Sequence, residues 1–437
     1  SRAFVKLRSV VQIHSSAPII MARVRELLKD KNFFLLWFAQ IISNFGDRLN
    51  QMALIGLIYI RTPGSTIELA KLLSFTILPV FIVGPIAGIY VDRWNRRATM
   101  IACDIIRGLL VLLIPLIIKY STSMVPIYVI VFIIFSVTRF FVPSKLSIIP
   151  DIVHKDKLLL ANSLSSTTMM IATIVSFGFS GIIVAAFGPQ AGFFIDSASY
   201  FISAGLVFFL AVKLKENIES AEASVKLTGI VRKTIIGDIK EGLVYLNSHK
   251  DIKMVANTMF LLMAGVGSIY IVIIVFVQEA LRSSTQHLGL LVMFLGIGLF
   301  LGSIIYGKFG SKFSKRKVVN FGLLTAGLTI VLFTICLKFA PSFFMAGLLS
   351  IVLGIFSAPI IVSSNTLLHE VMHDEMRGRV FSSLEIITHA GFLLFMFLAS
   401  VTADKIGRDW ALMAIGILFS IIGLVKLVRL GKEERGL

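Results

Sequence analysis

The chain has 437 residues, of which 57% are hydrophobic and only 15% charged, with a net charge of +18. An average soluble domain is about 45–50% apolar and about 25% charged, and no soluble core hides the many uncharged runs seen here, such as 260–277 and 321–337. A soluble multidomain protein and a disordered chain are therefore excluded, and the composition is that of a multi-pass membrane protein. The basic residues lie in short segments between apolar runs, which speaks for membrane topology and against nucleic acid as a partner.

Residues 1–32 form a basic cytoplasmic segment. Within it, residues 1–20 contain no apolar stretch ending in a cleavage site and read as an upstream-frame or appended extension, with a credible start at Met21. Twelve apolar stretches of membrane-spanning size follow: 33–60, 68–91, 98–118, 125–142, 160–187, 190–212, 253–280, 287–307, 318–338, 342–368, 380–402 and 409–430. Each is close to the roughly 20 residues that a helix needs to cross a bilayer. With the N-terminus inside, the inner segments hold 32 Lys and Arg and the outer ones 7. Both termini are thus expected on the cytoplasmic side. The expected fold is all-α, with twelve transmembrane helices arranged as two parallel six-helix repeats. A first bundle spans 33–212, a cytoplasmic linker 213–252, a second bundle 253–430 and a short tail 431–437.

The repeat is visible at a constant offset of 219, which pairs Gly46 with Gly265, Gly88 with Gly307, Arg97 with Arg316 and Asp151 with Glu370. Parallel repeats related by an axis along the membrane normal describe a transporter, with the substrate between the halves. The two cysteines, Cys103 and Cys336, both fall in apolar runs and read as small core residues.

Charges inside spans are expensive and are candidates for function. Span one places Gln40, Asn44, Asp47 and Gln51 on one helix face. Facing a cavity, that stripe would hydrate a path, and Asp47 would bind a proton or a cationic substrate; the alternative is a packing Asp paired with Arg139. Span three sets Asp104 and Arg107 three residues apart, where they neutralise each other. Span four presents Tyr128, Phe132, Phe135 and Arg139, which suit an amphiphilic or anionic ligand or a packed interface. Small polar residues of span five, among them Thr173, Ser176 and Ser180, read as helix glue. In span eleven, Glu385 and His389 lie four apart and suit a proton relay or a polar plug. His369, Glu370 and His373 spell H-E-x-x-H, a zinc-protease pattern. They fall at the repeat position of Asp151 and His154, which explains Glu370 and His373 without a metal, so neither an enzyme nor a cofactor is expected.

The run Gly88-Ile89-Tyr90-Val91-Asp92-Arg93-Trp94-Asn95-Arg96-Arg97 resembles a signature of the major facilitator superfamily. Phe141 to Asp151, Asn44 to Arg48 and Ile195-Asp196-Ser197 are similar to the macrolide- and multidrug-efflux branch. The resemblance implies that Gly88, Asp92, Arg93, Arg96 and Arg97 form a cytoplasmic latch against the start of span eleven. It also marks Asp196 as a coupling or structural position, which joins Asp47, Glu385 and His389, read above from the residues, as a candidate for coupling. Two departures stand out: Asn95 replaces a usual glycine, and span five lacks the usual Gly-Pro pair of antiporters. The resemblance implies a monomeric transporter of the bacterial inner membrane that exports a small amphiphilic compound in exchange for protons and sits among membrane lipids. A lysophospholipid or lipid translocase of the same fold is the alternative.

Overall fold

The computed structural model describes residues 21–91, 94–211, 237, 244, 250–283, 285–310, 313–371 and 377–433. The described residues are almost entirely helical. The major elements are α1 (Lys31–Arg61), α2 (Thr66–Ile82), α3 (Gly84–Val91), α4 (Arg96–Tyr120), α5 (Val125–Ile152), α6 (Leu158–Phe208), α7 (Lys250–Ala280), α8 (Gln286–Phe309), α9 (Lys315–Phe339), α10 (Phe343–Val371), α11 (Arg377–Ile406) and α12 (Arg408–Glu433). Among the described residues, nine helices are long and apolar enough to cross a membrane; one of them covers 54 residues, Lys155–Phe208. That is more than twice the length one crossing needs.

The apolar stretches read from the sequence fall on these helices with two modifications. The second stretch is split at Val83 into α2 and α3. The fifth and sixth share α6, which breaks at Gly188, where φ is +82°. Only glycine takes that backbone freely, and Pro189 beside it suits the first turn of the next helical segment. The interior of the 213–252 linker lies outside the described residues.

Short polar residues start the helices. Asp30 accepts from the amides of Asn32 (3.0 Å) and Phe33 (3.1 Å) to cap α1, and Ser65 accepts from Glu68 N (3.2 Å) to cap α2. Asn95 caps α4 by accepting from Ala98 N at 3.0 Å. The departure from glycine at this position therefore supplies a helix cap, a role in which Asn is among the best residues.

Helices α1–α6 pack chiefly on one another, and so do α7–α12. Two seams join the sets: α6 lies on α8, and α2 lies on α11. Glycine makes the first seam close. A Cβ on Gly181 would stand 2.5 Å from the Thr285 carbonyl oxygen and 2.9 Å from Gly289 Cα. One apolar core, with Leu49, Met52, Ile271 and Phe333 among its members, draws on both sets. Another, around Phe33, Met100 and Ile148, belongs to α1–α6 and the helical residues before them. A further small cluster around Leu323, Ile330 and Phe419 belongs to α7–α12. The shared core reaches the end that carries the α1–α2 and α7–α8 turns, here the far end. The first separate core sits at the opposite, terminal end. There Lys157 donates to Glu26 at 2.7 Å and holds that exposed carboxyl below the usual carboxylate range.

Candidate functional site

The polar stripe of α1 meets the second helix set at Gln51. Asn44 Oδ1 accepts from the Thr173 hydroxyl of α6 at 3.1 Å. Gln51 accepts from Arg48 Nη1 at 3.0 Å and donates through Nε2 to the Tyr270 hydroxyl of α7 at 2.8 Å. Gln51 and Tyr270 are 219 positions apart, the offset of the sequence repeat. Residues equivalent by a two-fold repeat touch each other only beside the axis that relates them, so this bond marks where that axis passes. Gln40 is buried, and its Nε2 has no partner among the described residues.

A second polar cluster lies inside the α1–α6 set. Arg107 pairs with Asp104 in a fully buried bridge, as their spacing suggested. The other Asp104 oxygen accepts from Ser203 Oγ at 2.7 Å. The guanidinium sits 4.2 Å from the Phe141 ring centroid and 4.4 Å from that of Tyr200. Tyr200 in turn donates to Asp47 Oδ1 at 2.5 Å. Asp196 is fully buried beside Gly46, its Oδ1 accepts from the Ser199 hydroxyl at 3.5 Å, and its Oδ2 has no partner among the described residues. Lys145, half-buried on α5, lies within electrostatic reach of Asp47. Three carboxylates therefore share this region with two cations, Arg107 and Lys145.

A cavity of about 520 Å³ opens between α6, α8 and α10. Its wall includes Met169, Ile174 and Phe177 from α6, Leu299 from α8 and Ile361 from α10. None of its lining residues is charged, and Thr173 and Ser303 are its two polar side chains. The volume falls within the roughly 300–1,000 Å³ of small-molecule sites, which are mostly apolar. Sequence reasoning followed charge and so missed this wall. The Met169-Met170 pair was a weak signal, because flexible thioethers fill adaptable surfaces.

The remaining candidates are placed as follows. Tyr128 is buried, donates to Glu68 at 2.6 Å and stacks on Phe75, so it packs between α2 and α5. Phe132, Phe135 and Arg139 are half-buried along α5. Arg139 Nε has no partner, and Glu385 of α11 lies within electrostatic reach of that residue. His389 Nδ1 lies 2.8 Å from the backbone carbonyl of Glu385 rather than bonding to its carboxylate, and the ring stands edge-on to Phe81 of α2. Gly88 lies in α3, whereas Asp92 and Arg93 fall outside the described residues. Arg96 bonds to Asp151 at 2.5 Å and to the Ser147 carbonyl at 2.8 Å, and Arg97 bonds to the Phe208 carbonyl. All three partners belong to the same helix set. The backbone of His369 and Glu370 continues α10, while their side chains and the whole of His373 lie outside the described residues.

Apolar helices in two repeat-related sets, with polar groups and a cavity at the junction, define a multi-pass membrane transporter. The chain belongs to the transmembrane secretion effector family of the major facilitator superfamily, whose model matches residues 26–435. The uncharacterized MFS-type transporter YfiS of Bacillus subtilis is 25% identical, over 91% of this chain and 93% of that protein. Macrolide efflux protein A of Streptococcus pyogenes is 23% identical, over 90% and 94%. Among solved structures, the nucleoside transporter NupG superposes with a TM-score of 0.67 at 11% identity, over 91% of this chain and 98% of that one. A bacterial homologue of the iron transporter ferroportin, in an inward-facing state, superposes with a TM-score of 0.68 at 13% identity, over 92% and 99%. The family and these structural neighbours are transporters, and the zinc-protease reading of H-E-x-x-H is set aside.

Proposed function

We propose that the protein is a monomeric, proton-coupled antiporter of the bacterial inner membrane that exports a small amphiphilic compound by alternating access. In this reading both termini are cytoplasmic, the chain crosses the membrane twelve times, and the bundles 33–212 and 253–430 rock about the Gln51–Tyr270 axis. The observation that carries coupling is the surplus carboxylate around Asp47. Three acids face two cations, and buried charge without a partner is costly. A proton supplies the missing charge. On Asp196 Oδ2 it would also turn an unpaired acceptor into a donor. Asp47, hydrogen-bonded to Tyr200 and adjacent in sequence to Arg48, would pass the proton between the buried cluster and the junction of the two helix sets. Glu385 and His389, across the cleft, would be the second proton site.

The cavity, together with Gln40, Asn44, Gln51, Phe132, Phe135 and Arg139, would hold the substrate. With the termini cytoplasmic, the closed far end would correspond to an inward-facing state. Similarity to a macrolide efflux protein supports export as the direction. Gly88, Asp92, Arg93, Arg96 and Arg97 would form the latch; Arg96 and Arg97, engaged within their own half here, would be free to change partner when the terminal end closes. A lipid or lysophospholipid translocase is the second reading, favoured by a cavity wall without charge.

Proton release from inside-out vesicles held at an imposed pH gradient tests the proposal. A panel of amphiphiles is added to vesicles with the native chain, with D47N, and without protein. Release with the native chain alone supports antiport. Coupled release that persists in D47N removes Asp47 from the mechanism, and silence toward all soluble compounds, with movement of labelled lysolipid, favours the translocase.

A further inference from the structure

We propose that the cavity between α6, α8 and α10 selects amphiphiles with an anionic head group, and that Arg48 is the residue that reads the charge. This rests on the transporter reading above and narrows its substrate class.

The two polar side chains of the wall already spend their protons inside the protein: Thr173 donates to Asn44 at 3.1 Å and Ser303 to the Leu299 carbonyl at 2.8 Å. The wall thus offers a ligand apolar contact and no free side-chain donor. A polar head must find its partner at the cavity's edge. Phe177 is part of the wall, and the guanidinium of Arg48, which is not itself a lining residue, lies 5.1 Å from the Phe177 ring centroid. Arg48 gives one hydrogen bond to Gln51, while its Nε has no partner. Among the described residues, no carboxylate forms an ion pair with it.

The surrounding charges agree. Asp47 adjoins Arg48 in sequence, but its Oδ1 is engaged by Tyr200. Arg139 of α5 has Glu385 of α11 within electrostatic reach. Arg48 therefore presents, beside Phe177 of the wall, a guanidinium that no carboxylate among the described residues pairs. An arginine fork is suited to carboxylate, sulfonate or phosphate, and repels a quaternary ammonium.

The test is equilibrium binding to the full chain in nanodiscs of zwitterionic lipid. Two fluorescent probes share a dansyl-undecyl body; one ends in carboxylate and the other in trimethylammonium. The carboxylate probe is expected to bind at least about tenfold tighter, the scale of one charge-assisted hydrogen bond. R48Q should abolish that preference, R48K should keep part of it, and I361W, which fills the cavity from the α10 side, should weaken both probes alike. Equal binding of the two probes to the native chain overturns the proposal without any variant, as does a preference that survives R48Q. Carriage of the cationic probe alone across proteoliposome membranes would leave the transporter reading standing and this assignment refuted. Failure of both probes to bind, with amphiphile-triggered proton release intact, would do the same.

Discussion

Asp104 and Arg107 stand one helical turn apart on α4, with relative exposures of 0% and 2%. Removing one member of such a pair leaves a buried charge without its partner, a cost of about 3–5 kcal/mol. R107Q is therefore expected to lower the thermal midpoint of the purified protein sharply, and the double variant D104N/R107Q to regain much of the loss. A double variant as unstable as R107Q would show that the pair's charges do not offset each other. The spacing of these two residues made their pairing legible in the sequence. The Tyr200 bond to Asp47 was not legible, because it joins residues 153 positions apart and a tyrosine in an apolar helix gives no sign of its partner. Arg48 illustrates the same limit. Its place in span one was plain, but that no carboxylate among the described residues pairs with it is a property of the packed helices.

At the scale of elements, the twelve apolar stretches located the helices because hydrocarbon demands internally satisfied backbone. The turn at Gly188-Pro189 was visible as a gap between two stretches. The split at Val83 was missed because apolar residues continue through it, although Gly84-Pro85, the same kind of breaker pair as Gly188-Pro189, stands directly after it. The α6–α8 seam yields a prediction of its own. Any side chain at position 181 meets the Thr285 and Gly289 backbones, so G181V should prevent far-end closure and reduce transport at least about tenfold, the effect of a modest packing penalty of about 1.4 kcal/mol. Membrane yield, measured alongside vesicle transport, separates this from misfolding; normal transport in G181V would show that the close approach is dispensable. At the α4 start, N95A should cost about 1 kcal/mol and N95G only a few tenths. Thermal midpoints of the two variants check that order, and equal losses would deny Asn95 its capping role.

At the scale of the whole molecule, the far end is held shut by contacts that no local pattern announces. Thr66 of α2 donates to Asp404 of α11 at 2.6 Å and to the Ser400 carbonyl at 2.9 Å. Arg408 binds Glu279 at 3.0 Å and also the Gly64 carbonyl on the opposite helix set. The repeat was legible as an offset of 219, and it foretold that the halves correspond; which end they close at depends on contacts between residues more than 300 positions apart. The central claim is that these contacts break when the halves rock and the buried acids change protonation. Tyr120 and Phe339, which are equivalent by the repeat, end α4 and α9 with exposures of 79% and 77%. Spin labels at Y120C and F339C, in a background of C103S and C336S, report the separation of the halves by pulsed electron resonance in lipid. The account predicts two distance populations whose ratio shifts when D47N or D196N mimics a bound proton. A single distance, unchanged by either substitution and by pH, would contradict it.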